Sequence, residues 1–190
     1  MKPRPIILCS GGIDSLALTV MAVTRKLDPL LLHIRYDHPA AREELEAVRK
    51  IYSAFAGSCK LRLQEMEINS SPLDSGIGEP GPRVVRGRNL MLIAAALNAS
   101  QSGDYNQIWI GCTKEDDEHY WDCRDSFIHA LNILIKDGVG VAAPLINMTR
   151  KQILVMIPEP IQYLAWSCYQ PYCGVPCGRC NSCLQGGGND

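Results

Sequence analysis

One stretch constrains this chain more than any other: Ile6-Ile7-Leu8-Cys9-Ser10-Gly11-Gly12-Ile13-Asp14-Ser15. A short apolar run of strand character breaks at Ser-Gly-Gly, then passes into an apolar-periodic segment from Leu16 to Val23. That pattern predicts a strand, a tight turn and a helix start, with Asp14 and Ser15 in the helix's first turn. Glycine lets a backbone approach a ligand closely, and the free N–H groups of a helix N-terminus favour an anion. The stretch therefore predicts a phosphate cradle. No Gly-Lys-Ser/Thr follows it and no Gly-x-Gly-x-x-Gly lies within it, so it is neither a Walker A loop nor a dinucleotide fingerprint. An ordinary strand-to-helix turn rich in small residues is the plain alternative.

The rest of the chain supplies a scaffold for such a turn. The first helix is expected over 15–25, ending at Arg25-Lys26, where cations suit a helix C-terminus. Leu30 to Tyr36 reads as a buried strand. Ala40 to Phe55 carries Leu45, Val48, Ile51 and Tyr52 at helical spacing. Lys60 to Ile68 alternates apolar and polar side chains, as a strand at a sheet edge does. Residues 69–83 form a loop of about fifteen residues, long enough to suggest function or mobility. A helix over 90–100 follows Arg86-Gly87-Arg88-Asn89, and a fourth strand over 107–112 precedes an acidic segment, 113–118. A helix over 125–135 and a short strand over 139–143 come next. Thr149 is placed to cap a short helix that Pro158 and Pro160 stop. Alternating strands and helices predict a three-layer α/β sandwich with a central parallel sheet. Ligands of such sheets sit at the carboxyl ends of the strands, where the Ser-Gly-Gly turn, the Tyr36 loop and the segment after Gly111 all fall.

At 190 residues the chain is expected to be a single domain, 1–190, with a disordered tail over 185–190. A net charge of −1 gives bulk electrostatics no hold on nucleic acid or membrane. No apolar run reaches the roughly 18–20 residues of a membrane span, and the N-terminus lacks a signal-peptide core. A soluble cytoplasmic protein is the expectation. In such a compartment a cysteine cluster points to metal rather than disulfides. Of nine cysteines, five lie between Cys168 and Cys183, and Cys168, Cys177, Cys180 and Cys183 stand as Cys-x8-Cys-x2-Cys-x2-Cys. Four thiolates suit a closed structural zinc site within segment 166–184. Cys173 is an alternative to Cys168, an iron–sulfur cluster an alternative to zinc, and a zinc module for nucleic acid an alternative role. Only Arg179 lies among the thiols, which leaves that last role without a basic surface.

The Ser10-to-Ser15 turn resembles the pyrophosphatase loop of the PP-loop ATP-pyrophosphatases, which split ATP between its α- and β-phosphates. Together with the cysteine knot, most of the chain resembles the 7-cyano-7-deazaguanine synthase family of queuosine precursor biosynthesis. The likeness rests on that loop, on Tyr36 with His38 and Glu43 or Glu44, on Arg88-Asn89, Ile110-Gly111, Asp116-Asp117 and Tyr120-Trp121-Asp122-Cys123-Arg124 with Phe127. Pro144-Leu145, Trp166-Ser167-Cys168-Tyr169 and Cys177-Gly178-x-Cys180-x-x-Cys183 complete it.

The resemblance implies an adenine nucleotide alpha hydrolase-like fold and an ATP-dependent ligase. Such an enzyme adenylates 7-carboxy-7-deazaguanine, adds ammonia to give an amide, then adenylates and dehydrates that amide to the nitrile. It implies ATP, Mg²⁺ and structural zinc, and a homodimer. Ser10, Gly11, Gly12, Asp14, Ser15, Arg88, Asn89 and Gly111 would surround ATP, with Asp14, Ser15 and Arg88 catalytic. Tyr36, Asp122, Cys123 and Arg124 would meet the deazaguanine, and Cys168, Cys177, Cys180 and Cys183 the zinc. Each residue also has a plainer reading. Arg88 can be a solvated charge, Asn89 a cap of its own helix, Asp122 the cap of the helix near Asp125, and Cys123, His38 and His119 packing or structural groups. Two departures stand out: Val84-Val85-Arg86-Gly87 replaces an apolar-proline entry to Arg88, and Trp121 takes a proline's place, where its bulk could reshape the base pocket. An enzyme stopping at the amide, one attaching the activated base to a macromolecule, and a tRNA-modifying relative are the alternative activities.

Overall fold

The computed structural model describes residues 2–69, 85–101, 104–136, 138–180 and 182–184. The expected loop over 69–83, apart from its first residue, and the expected tail over 185–190 lie outside them. Five strands, β1 (Pro5–Leu8), β2 (Leu30–Arg35), β3 (Arg62–Glu67), β4 (Gln107–Trp109) and β5 (Gly140–Ala142), alternate with helices. These are α1 (Ile13–Thr24), α2 (Ala41–Phe55), α3 (Arg88–Ser100), α4 (Asp125–Leu134) and α5 (Arg150–Met156). All strand pairs are parallel, in the order β3-β2-β1-β4-β5.

The strand pleat divides the core in two. Ile7, Leu31 and Trp109 face α1, α2 and α5, meeting Leu16, Leu18, Val48, Ile51 and Ile153. Ile6, Leu30, Leu32, Ile34 and Ile108 face the other way, onto Ile93, Ala96 and Ala99 of α3 and Ile128 and Leu131 of α4. Covering a parallel sheet on both faces is what makes its central strands read as continuous apolar runs. The chain thus forms the three-layer α/β sandwich that the alternation predicts. β3 lies at the sheet edge, as its alternating pattern suggests, and Arg49 of α2 grips Glu65 there with two hydrogen bonds of 2.8 and 2.9 Å.

Element ends differ in instructive ways. β4 and β5 are three residues each, shorter than their apolar runs, although the Ile110 N–H still donates to the Ala142 carbonyl at 3.0 Å as the chain reaches the site. Thr149 caps α5 as expected, in a reciprocal capping box with Gln152. Beyond α5 a 3₁₀ turn, Glu159–Leu164, has Pro160 within its first turn, so the proline that ends one helix starts another. Among the described residues no helix is long and apolar enough to cross a membrane.

At the end of β1 the chain turns at Gly11 with φ +83°, a left-handed conformation that costs other residues energy. A Cβ there would lie 2.7 Å from the Glu44 carbonyl oxygen and 2.9 Å from the Ala47 Cβ, so only glycine lets α2 press against the turn. Gly11→Ala is expected to lower the free energy of unfolding by about 2–5 kcal/mol, from backbone strain plus overpacking. Urea denaturation measures it, and an unchanged midpoint would show that α2 does not bear on the turn.

Candidate active site

β1 is the switch point of the sheet: β2 lies on one side and β4 on the other, reached by crossovers to opposite faces. Such a point opens a crevice at the carboxyl ends of the strands. A cavity of about 230 Å³ lies there, walled by Ser10, Asp14 and Ser15 after β1, Tyr36, His38 and Glu44 after β2, and Gly111, Cys112 and Asp116 after β4. Arg88, Asn89, Tyr120, Cys123 and Tyr169 close the other wall.

The turn is internally ordered. Ser15 Oγ accepts from the Ser10 N–H at 3.0 Å and lies 3.2 Å from Ser10 Oγ. Gly12 is the N-cap residue of α1, and no side chain caps the first turn, which leaves its N–H groups available to an anion. Gly111 makes room for the turn from the far side, since a Cβ on it would stand 3.0 Å from the Asp14 Cβ.

Asp14 meets Arg150 at 3.2 Å, between Oδ1 and Nη1. Burial pushes the Asp14 carboxyl up to about 6, against the pull of Arg150, and the nearby Asp116 and Glu115 push the same way. Arg150 Nη2 reaches Ser167 Oγ at 3.5 Å, while its buried Nε has no hydrogen-bond partner. Asp116 is fixed by the Thr113 N–H and hydroxyl, both 2.8 Å from its Oδ2.

Across the cavity Arg88 is half-buried and hydrogen-bonded to Tyr36. Burial works against its charge, but Tyr36, Tyr169 and Glu44 outweigh that and raise its pKa. It is therefore not a solvated surface charge. Glu44, from α2, is pushed up to about 8 by burial, with Arg88 opposing. Its Oε2 lies 3.5 Å from His38 Nε2.

Asn89 is buried and does not cap its own helix. Its Nδ2 donates to the Asp122 carbonyl at 3.0 Å and to Cys123 Sγ at 3.4 Å. Asp122 in turn accepts from the Asn89 N–H at 3.3 Å, so it serves α3 and is not the cap of α4. The Trp121–Cys123 turn is thus tied to the head of α3, and Asn89 and Cys123 line the cavity while Asp122 lies behind them. Cys123 shares a hydrogen bond with Cys112, which together with burial keeps the Cys112 thiol protonated. Arg124 lies outside the lining, hydrogen-bonded to the Asp117 carbonyl at 3.1 Å and paired with its carboxylate at 3.3 Å. Trp121 also turns outward, stacked edge-on against Phe127 at 5.2 Å, so its bulk does not fill the cavity. His119 is exposed.

The four cysteines gather as expected, with the sulfurs of Cys168, Cys177, Cys180 and Cys183 all within 4.8 Å of one another. The Cys177 N–H donates to Cys168 Sγ at 3.2 Å and the Cys180 N–H to Cys177 Sγ at 3.4 Å, bonds that favour thiolates. The donor set fits a metal ion. Cys173 is exposed in a tight turn and lies outside the cluster, whose fourth thiol is that of Cys168. The knot adjoins the site directly: the Trp166 N–H donates to the Gly11 carbonyl at 2.8 Å, and Tyr169 reaches the cavity.

The sequence assigns no role to Arg150, and Glu44 and Tyr169 enter it only as points of likeness. Two of them carried a signal. Arg150 opens α5, where a cation opposes the helix dipole. Glu44 lies on the apolar stripe of α2, four and seven residues before Val48 and Ile51.

The chain matches the family model described as "Queuosine biosynthesis protein QueC" over residues 4–186. The 7-cyano-7-deazaguanine synthase of Chlorobaculum tepidum is 30% identical over 204 residues, covering 96% of this chain and 89% of that protein. That of Methanothrix thermoacetophila is 29% identical over 207 residues, covering 95% and 90%. Among solved structures, NMN synthetase from Francisella tularensis superposes with a TM-score of 0.59 at 16% identity, covering 97% of this chain and 73% of that one. The U34-tRNA thiolase NcsA from Methanococcus maripaludis superposes with a TM-score of 0.54 at 13% identity, covering 81% and 55%. At such identities these two structures show a shared fold.

Elemental analysis of the purified protein is expected to find one metal ion per chain, retained in Cys173→Ser and lost in Cys177→Ser. A metal-replete Cys177→Ser protein would remove the knot from the metal.

Proposed function

The chain belongs to the QueC family of queuosine biosynthesis proteins, and on that footing we propose that it is an ATP-dependent ligase making 7-cyano-7-deazaguanine from 7-carboxy-7-deazaguanine and ammonia. One observation carries the reading: the uncapped anion-binding turn and the cavity share a wall, so a triphosphate on the turn would present its α-phosphorus to a group held in the cavity.

A carboxylate is a poor electrophile because its oxygen leaves badly. Attack of that oxygen on the α-phosphorus releases pyrophosphate and turns the oxygen into part of AMP, a good leaving group. Ammonia then forms the C–N bond as the C–O bond to AMP breaks. The amide oxygen takes a second AMP in the same manner as the nitrogen gives up one proton to form an imidate, and loss of that AMP with the remaining N–H proton leaves the nitrile.

The N–H groups at the head of α1 bind the pyrophosphate end of ATP, helped by Ser10 and Ser15. Arg150 holds Asp14 in place and sets a positive charge beside the turn, where negative charge develops as pyrophosphate leaves. Arg88 stands across the cavity to bind the substrate carboxylate or the α-phosphate. Asp14 and Asp116 are the oxygen donors that would hold Mg²⁺, which supplies neutralisation of the triphosphate when bound. Tyr36, Asn89 and Cys123 bound the space for the base, and Asp122 and Arg124 act behind that wall as supports. Zinc in the four-thiolate knot fastens the Trp166–Tyr169 strap over the turn and leaves no open position for chemistry. We also place the enzyme in the cytoplasm as a homodimer.

Asp14→Asn and Arg150→Ala are each expected to lower kcat/KM for 7-carboxy-7-deazaguanine-dependent AMP formation by about 100-fold or more. Circular dichroism should show the fold retained. Folded variants with undiminished AMP formation would remove these residues from the phosphate chemistry.

A further inference from the structure

We propose that Glu44 and His38 form the ammonium site of the reaction, Glu44 capturing the cation and the pair relieving it of its protons. This inference deepens the ligase reading and rests on it. Glu44 and His38 both line the cavity, with Oε2 and Nε2 3.5 Å apart and side chains only 18% and 12% exposed. The pair lies against the phosphate turn, since the Glu44 carbonyl is the atom that crowds Gly11.

A carboxylate on the apolar stripe of a helix costs free energy unless something uses it. Here the cost is plain, because Glu44 keeps its charge poorly even with Arg88 acting on it from α3. Other ionisable groups lining the same cavity include Tyr36, on the same loop as His38, Cys9 at the end of β1, His33 of β2, Asp14, Asp116 and Tyr169 from the C-terminal strap. Tyr36 packs on His38 with ring centres 4.7 Å apart. Burial pushes the Cys9 and Tyr169 groups each up to about 12, so both stay protonated near neutrality and neither can accept a proton there. His33 is held by the Cys9 carbonyl at 2.9 Å with burial lowering its pKa, and Asp14 is engaged by Arg150. Glu44 and His38 instead pair with each other at the space where an acyl adenylate would sit.

The chemistry requires two proton acceptors at that place. Near neutral pH ammonia exists mostly as ammonium, which has no lone pair and cannot attack carbon. Arriving ammonium favours the charged form of Glu44, as Arg88 does, so the acid gives its own proton to solvent on binding the cation. The carboxylate then accepts the first proton of the ammonium, becoming a neutral acid again beside His38. The freed ammonia attacks the acyl carbon, the C–N bond forms, and the C–O bond breaks with its electron pair leaving on AMP. The nitrogen's second proton passes to His38 Nε2. Ammonium and the adenylate thus become amide, AMP and two protons, each with a named destination.

The test compares two nucleophiles. Hydroxylamine is mostly uncharged near neutrality and needs no capture as a cation. In Glu44→Gln the KM for ammonium should rise about 10–100-fold, the worth of a charged hydrogen bond. Hydroxylamine should still trap the adenylate as hydroxamate at the wild-type rate. Glu44→Asp, which keeps the charge, should recover part of the ammonium affinity. An unchanged ammonium KM in Glu44→Gln overturns the proposal. So does an equal loss with both nucleophiles and in pyrophosphate exchange, which would make Glu44 a holder of Arg88. If wild-type enzyme forms no hydroxamate at all, the adenylation reading itself falls.

Discussion

The site depends on how tightly one turn is gripped. Gly11 leaves β1 in a left-handed conformation, with α2 against one side and the Trp166 N–H on its carbonyl at 2.8 Å. Helix, turn and strap fix one another, so the open N–H groups of α1 point in a single direction. Preorganised donors of this kind stabilise developing charge without having to reorient at the moment of reaction. The cysteine knot begins two residues beyond Trp166, so a metal ion held there would bear on the site mechanically.

Charge is distributed around the cavity with the same economy. Two acids, Asp14 and Glu44, are buried in its lining, and each faces an arginine from a distant part of the chain. In both cases burial outweighs the arginine and raises the carboxyl's pKa. Groups in that condition respond strongly to an arriving cation or phosphate, because ligand charge alters a balance already near its midpoint. The thiols are held protonated too, Cys9 by burial and Cys112 by its hydrogen bond with Cys123 together with burial, which removes them from nucleophilic work at this site.

Much of this was legible in the residues, and the reason is range. The strand-turn-helix at Ser10–Ser15, the edge strand β3, the capping box at Thr149 and the thiol spacing are local patterns, and they appear in space much as they appear in sequence. Arg150 was not legible as a site residue, because its partner Asp14 stands 136 positions away. Its misplacement against the helix dipole was the available hint. Asn89 and Asp122 illustrate a different gap. Each was open to a local capping role, yet they bond to each other, and sequence alone gives no way to weigh a cap within a helix against a partner from another element. Trp121 had the bulk to reshape the base pocket and instead packs on Phe127 six residues on, a local contact that its size favours.

The most direct measurement follows oxygen. The enzyme would be given 7-carboxy-7-deazaguanine with both carboxylate oxygens labelled with oxygen-18, together with ATP, Mg²⁺ and ammonium, and the products weighed by mass spectrometry. Two successive adenylations require both labelled oxygens to leave on AMP, one on each molecule, and the base to emerge as an oxygen-free nitrile at that carbon. Unlabelled AMP, or ADP in its place, would contradict transfer of the carboxylate oxygen to the α-phosphorus, and with it the assignment of the turn and cavity as one adenylating site.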